Sequence, residues 1–208
     1  MNAKEFFDRS AGQWLSMRTT HHLPFRRAEG GGSQIEVQAL PAGDPQIAKI
    51  CSMHDVESTT SVGGAHVAWN GTMAWDKDGE NHAGSTVFAL IPDAGNPRCG
   101  NLLRERGYAE IVPVVGRYEM DEDDSLVLVT DYDTTSVFER FWFSGPHLRL
   151  RVSTAQRMGG FNTATFCVEM RAPATEAMQA NEMTDPSPSA PKVKDTPAAT
   201  IAQSLFSW

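Results

Sequence analysis

The sequence predicts a mainly β fold: an up-and-down antiparallel barrel with one helix in front of it and one helix inserted. Short segments of alternating or β-branched residues recur along the chain, and clusters of Gly, Pro, Asn and Asp separate them. Evenly spaced short strands with hairpin turns fit an antiparallel barrel or a sandwich. Successive hairpins with a helix at one end favour the barrel, and a barrel of this size can hold one ligand in its mouth. Finally, a chain of 208 residues, 40% hydrophobic and 21% charged, can bury a core that needs no staples.

The elements follow in order. Residues 3–10 read as a short helix whose apolar side is Phe6 and Phe7. Strand patterns then run at about 14–23, 34–40, 64–76 and 84–92 in the first half. The second half has them at about 110–120, 125–131, 134–144, 147–154 and 161–171. Gly30-Gly31-Gly32, Asn70-Gly71, Asp78-Gly79, Gly95-Asn96-Pro97, Asp121 to Asp124, Ser144-Gly145-Pro146 and Gly159-Gly160 read as turns. Asp44-Pro45 reads as the cap and first-turn proline of the inserted helix, with Ile47, Ile50, Cys51 and His54 at helical spacing. From Ala172 the composition changes to Ala, Pro, Thr and Ser, so residues 172–208 are expected to form a tail with a short helix at its end.

A net charge of −8 argues against general binding to nucleic acid or to an anionic membrane, since no basic field drives either. No run approaches the roughly 20 apolar residues of a membrane span, and the first residues lack the apolar stretch of a signal peptide. Three widely spaced cysteines fit reduced thiols in a cytosol-like compartment. Cys51 and His54 share a helix, but no second pair at zinc spacing accompanies them, and no metal is expected. No nucleophile elbow or phosphate-cradling loop is present.

What remains is charge on strands. In Phe138 to Ser153, period two puts Glu139, Phe141 and Phe143 on one face of the first strand. After the turn, Arg149, Arg151 and Ser153 share a face, and Leu148, Leu150 and Val152 share the other. Two readings are open: the arginines face water over a leucine core, or they face a cavity that holds an anion, where their planar forks would pair with carboxylates. Arg18, on a face with Ser16, Thr20 and His22, poses the same question, as do Glu139 and Glu169 among apolar neighbours. If one strand is continuous, Val67, Trp69, Gly71, Met73 and Trp75 make an apolar wall that suits either a planar conjugated ligand or a packed core.

These residues resemble a family. Phe6-Phe7, Ser10-Ala11-Gly12 with Trp14, and Ser16-x-Arg18-Thr19-Thr20-His21-His22-Leu23 are similar to the opening of the S-type (CpcS/CpeS) phycobiliprotein lyases. Arg140-Phe141-Trp142-Phe143, Leu148-Arg149-Leu150-Arg151, and Gly159-Gly160-Phe161 through Phe166-Cys167-x-Glu169-x-Arg171 are similar to its second half. The resemblance covers about residues 5–171 and implies a lipocalin-like, bilin-binding barrel over 1–171, with the tail outside it. It implies a chromophore lyase that binds a phycobilin, such as phycoerythrobilin or phycocyanobilin, and attaches it through a thioether to a phycobiliprotein cysteine. The bilin is then substrate rather than prosthetic group.

On that reading Glu139 and Arg149 carry the catalytic role. Arg18, Val67, Trp69, Met73, Trp75, Phe141, Arg151, Ser153 and Glu169 bind the ligand. The implied partners are an apo phycobiliprotein subunit and free bilin, with a bilin reductase and a second copy of the chain as further candidates. The implied location is cyanobacterial-type cytoplasm or plastid stroma. A non-catalytic bilin carrier and a carrier of apolar carboxylates are the rival readings.

Overall fold

The computed structural model describes residues 1–77, 80–105, 113–160 and 162–173. The expected tail helix, the Asp78-Gly79 turn and the first residues of the strand expected at 110–120 lie outside these.

Among the described residues, ten antiparallel strands close into one barrel in up-and-down order. They are β1 (Gly12–His22), β2 (Arg27–Leu40), β3 (Gly64–Met73), β4 (Gly84–Asp93) and β5 (Asn96–Arg104), then β6 (Val114–Met120), β7 (Leu126–Asp131), β8 (Thr135–Phe143), β9 (Leu148–Arg157) and β10 (Thr163–Arg171). β10 pairs with β1 to complete the ring, so among the described residues every strand has a neighbour on both sides.

Helix α1 (Ala3–Ser10) coincides with the expected one. Asn2 and Glu5 form a reciprocal capping box at its start. It buries Ala3, Phe6 and Phe7, and the two rings pack on Phe143 and Phe88 at 5.0 and 4.6 Å. The helix thereby stoppers one end of the barrel. Trp14 sits fully buried there, its indole N–H donating to the Ser10 carbonyl at 2.8 Å. Helix α2 (Pro45–Met53) starts at the cap predicted for it, where the Asp44 carboxylate accepts from the Gln46 N–H. Outside the barrel, it buries Ile47, Ile50 and Cys51 with Leu40, Ala89 and Leu103.

Three expectations fail on backbone geometry. Gly30 to Gly32 form no turn but run within β2, and at Gly31 the strand needs the missing side chain. A Cβ on Gly31 would come within 2.5 Å of the Met73 sulfur and 3.1 Å of Arg18 Nε. Asn70-Gly71 is likewise in mid-strand, with Gly71 pressed against the Gly32 carbonyl. Residues 96–104 form a whole strand that the sequence reading missed, since the Gly95-Asn96-Pro97 punctuation conceals its start. The turn itself is Ala94-Gly95, with Gly95 at φ +77°.

Candidate functional site

Period-two alternation places one face of each strand inside the ring. From β1, the inward residues are Trp14, Ser16, Arg18, Thr20 and His22, and register carries this face around the barrel. Arg18 pairs across to Cys167 on one side and Gly31 on the other. Arg151 pairs to Cys167 and Phe141, and Ser153 to Thr165 and Glu139. The arginines of β9 therefore face in, and Leu148, Leu150 and Val152 lie half-buried on the outside.

Inside, the charges form an alternating chain. Arg149 Nε donates to Glu169 Oε2 at 2.6 Å. Glu169 Oε1 lies 3.7 Å from Arg151 Nε, and Arg151 NH1 lies 3.7 Å from Glu139 Oε1. Glu139 Oε2 in turn lies 4.0 Å from Arg104 NH2. Arg151 also donates to the Cys167 sulfur at 3.3 Å. All five charged residues are buried, with Arg104 and Glu169 at 0% exposure. Burying one such charge alone would be prohibitive, so each needs the next.

Arg18 is set apart. It is buried, and its Nε hydrogen bond goes to the Met73 sulfur at 3.0 Å rather than to a carboxylate. Burial, and then the nearby Arg151 charge, pull its pKa below the usual arginine value. Burial pushes the Glu139 carboxyl upward, against the opposing pull of Arg151 and Arg104. Burial opposes the Arg151 charge, but Cys167, Glu169 and Glu139 outweigh it and strengthen the guanidinium's hold on its proton.

Around this layer the walls are apolar. Phe141 is buried between the arginines, with Arg151 over its ring at 5.5 Å and Arg149 at 5.9 Å. Val67 is fully buried, and the half-buried Trp69 ring lies over Gly84, where a Cβ would meet it at 2.5 Å. Met73 and Ser153 are half-buried toward the open end. Trp75 departs from the expected wall. β3 stops at Met73 and turns, as Ala74 N–H donates to the Gly30 carbonyl and Asp76 accepts from Met73 N–H. Trp75, 54% exposed, instead stacks on His22 at 5.4 Å at the mouth. With His22, Phe25 and Arg27 it lines a cavity of about 410 Å³.

Sequence reading missed Arg104, Tyr118 and Cys167 as inward residues. Arg104 was hidden with β5; its signal is the alternation Leu102, Arg104 after Gly100. Tyr118 is buried without a hydrogen-bond partner for its hydroxyl, and burial raises its pKa to about 12. Ser16 Oγ, Trp69 Nε1 and Glu169 Oε1 are likewise buried without a hydrogen bond. Such groups carry a desolvation cost unless something polar meets them.

Among the described residues, the buried charges are thus four arginines and two glutamates, an excess of positive charge, beneath flat apolar surface. Guanidiniums pair with carboxylates and a glutamate accepts from N–H groups, so this layer offers chemistry for a ligand that carries both.

Comparison with known proteins agrees in extent and shape. Residues 2–172 match the family described as CpeS-like protein. The chain is 66% identical over 170 residues to the phycocyanobilin lyase subunit CpcS of a Picosynechococcus species, spanning 82% of this chain and 86% of that one. It is 63% identical over 171 residues to chromophore lyase CpcS/CpeS 2 of Trichodesmium erythraeum, spanning 82% and 87%. Among solved structures, the S-type phycobiliprotein lyase CpeS of Guillardia theta superposes with a TM-score of 0.74 at 34% identity, covering 84% of this chain and 94% of that one.

Proposed function

This chain belongs to the CpeS-like family of chromophore lyases, and from that premise we propose how its barrel performs the attachment. It is a phycobilin chromophore lyase, with a bilin as substrate and a phycobiliprotein as acceptor. The observation that carries the reading is the buried Arg149–Glu169–Arg151–Glu139–Arg104 chain set beneath apolar surface.

In the proposed mechanism, Arg149, Arg151 and Arg18 take the two propionates, and Trp69, Val67, Met73 and Phe141 cover the conjugated face. Glu139 accepts from the pyrrole N–H groups and, when ionised, stabilises the protonated bilin. Glu169 orients Arg149 and Arg151. Ser153 and Trp75 lie nearer the mouth, where the bilin meets its acceptor. The nucleophile is the acceptor's cysteine: its sulfur bonds to the exocyclic ethylidene carbon, the double bond opens, and the thiol proton ends on the tetrapyrrole. The lyase contributes one fixed conformer and exclusion of water. On this reading residues 1–171 are the working barrel, the tail is a separate segment, and the setting is cytoplasm or stroma. Among the described residues no helix is long and apolar enough to cross a membrane.

The test is incubation of the protein with phycocyanobilin or phycoerythrobilin and an apo phycobiliprotein subunit. Zinc-induced fluorescence of the denatured subunit is expected only when all three are present. Bilin binding without a fluorescent subunit would make the protein a carrier. Glu139→Gln is expected to lose the red-shifted absorbance of the bound bilin.

A further inference from the structure

We infer that Arg104 is a positioning residue for Glu139, and that His54 at the end of α2 holds it in place. The inference rests on the reading of Glu139 as the group that faces the bilin nitrogens. Arg104 ends β5 on the far side of Glu139 from the arginine strand. Its guanidinium lies 4.0 Å from Glu139 Oε2, whereas Arg151 lies 3.7 Å from Oε1. The carboxylate is therefore straddled, one arginine to each oxygen. Neither contact is a hydrogen bond at these lengths, so both arginines act on Glu139 as charges, leaving its lone pairs for ligand N–H donors.

The backbone of Arg104 is pinned from outside the barrel. His54 Nε2 donates to the Arg104 carbonyl at 2.8 Å, which a carbonyl can only accept. His54 is the C-cap of α2, with its own N–H donating to the Cys51 carbonyl at 3.1 Å. The helix that packs on β4 and β5 thus ends in a residue that fixes the last position of β5. That gives His54, at helical spacing with Ile50 and Cys51, a structural role of its own. The charges facing Glu139 are Arg151 from β9, Arg104 from β5 and Glu169 from β10; the first two favour its ionised form and the third opposes it.

The experiment follows the red-shifted absorbance of bound phycocyanobilin as a function of pH in wild type, R104Q, R104K and H54Q. With Arg104 removed, Glu139 should hold its proton to higher pH. The acid limb of the profile in R104Q should move upward by roughly one pH unit. R104K should restore it, and H54Q should move it in the same direction by less. A general packing role would lower the amplitude and leave the limb where it is, and a folded R104Q with an unmoved limb overturns the inference. If R104Q does not fold, R104Q/E139Q is examined: recovered folding supports the pairing, and continued failure overturns it. Failure of wild type to bind bilin at all would instead overturn the functional reading, leaving the carboxyl infrared band of Glu139 in the ligand-free protein to test the pairing: an unshifted band in R104Q overturns it.

Discussion

At the scale of single residues, the interior holds its charges by mutual pairing rather than by solvent. Glu169 is the most committed member, touching Arg149 at 2.6 Å with no exposure to water. Glu169→Gln keeps the shape and removes the charge, leaving two buried guanidiniums short of a partner. A loss of about 3–5 kcal/mol is expected, because breaking a buried pair strands the remaining charge; urea denaturation measures it. Glu139 is held more loosely, and burial raises its pKa. The native state then keeps a proton that the unfolded chain has released. Its contribution to stability is fully present below the ordinary glutamate value and is lost as pH rises through the folded value. Wild type and Glu139→Gln should therefore match in stability at low pH, and the variant should gain on wild type as pH increases. Parallel denaturation curves at every pH would contradict this. The alternation in the strands made Glu139, Arg149 and Arg151 legible as one problem. Their pairing was not legible, since it joins residues from β8, β9 and β10 through register alone.

At the scale of elements, β2 shows how a strand can be shaped by what it lacks. Gly31 stands opposite Arg18 and Met73, and space for both side chains exists only because it has none. Gly31→Val should therefore push Arg18 off Met73 and weaken bilin binding at least about tenfold, the equivalent of 1.4 kcal/mol, as read by absorbance titration. An affinity equal to wild type would show the site to be slack there. Removing the stopper should act differently. Phe6→Ala takes a fully buried ring from α1 and should cost about 3–5 kcal/mol, with the charged layer left intact. The cap of α2 was legible because Asp44 and Pro45 act locally, whereas the Asn2–Glu5 capping box of α1 was not read from the sequence although it is equally local. The three glycines were misread for another reason: a local rule calls them a turn, whereas pairing with β1 makes them strand and only Gly31 is needed for close contact across three strands.

At the scale of the whole molecule, the closed ring gathers, among the described residues, four buried arginines against two buried glutamates. An acidic protein thus keeps a basic interior, and a dianion should enter it more readily than a neutral ligand. Phycocyanobilin at about one hundred times its dissociation constant should raise unfolding free energy by about 2.7 kcal/mol. The dimethyl ester of the same bilin, with both propionates masked, should give little shift in melting temperature. Equal stabilisation by acid and ester would mean the arginines serve only one another.

What the sequence determined by itself is what depends on neighbours within a few residues: strand period, hairpin turns, helix caps, and which charges share a face. The order of those signals was enough for an up-and-down barrel with two helices and for a family resemblance over most of the chain. Only the tertiary structure decided which face of each strand is interior, that Arg104 joins the charged chain, and that Trp75 stands at the mouth rather than in the wall. Ring closure is the physical reason. A strand of alternating leucine and arginine is consistent with either orientation until β10 meets β1. Closure then commits every second residue to one shared interior, where each buried charge must find its opposite.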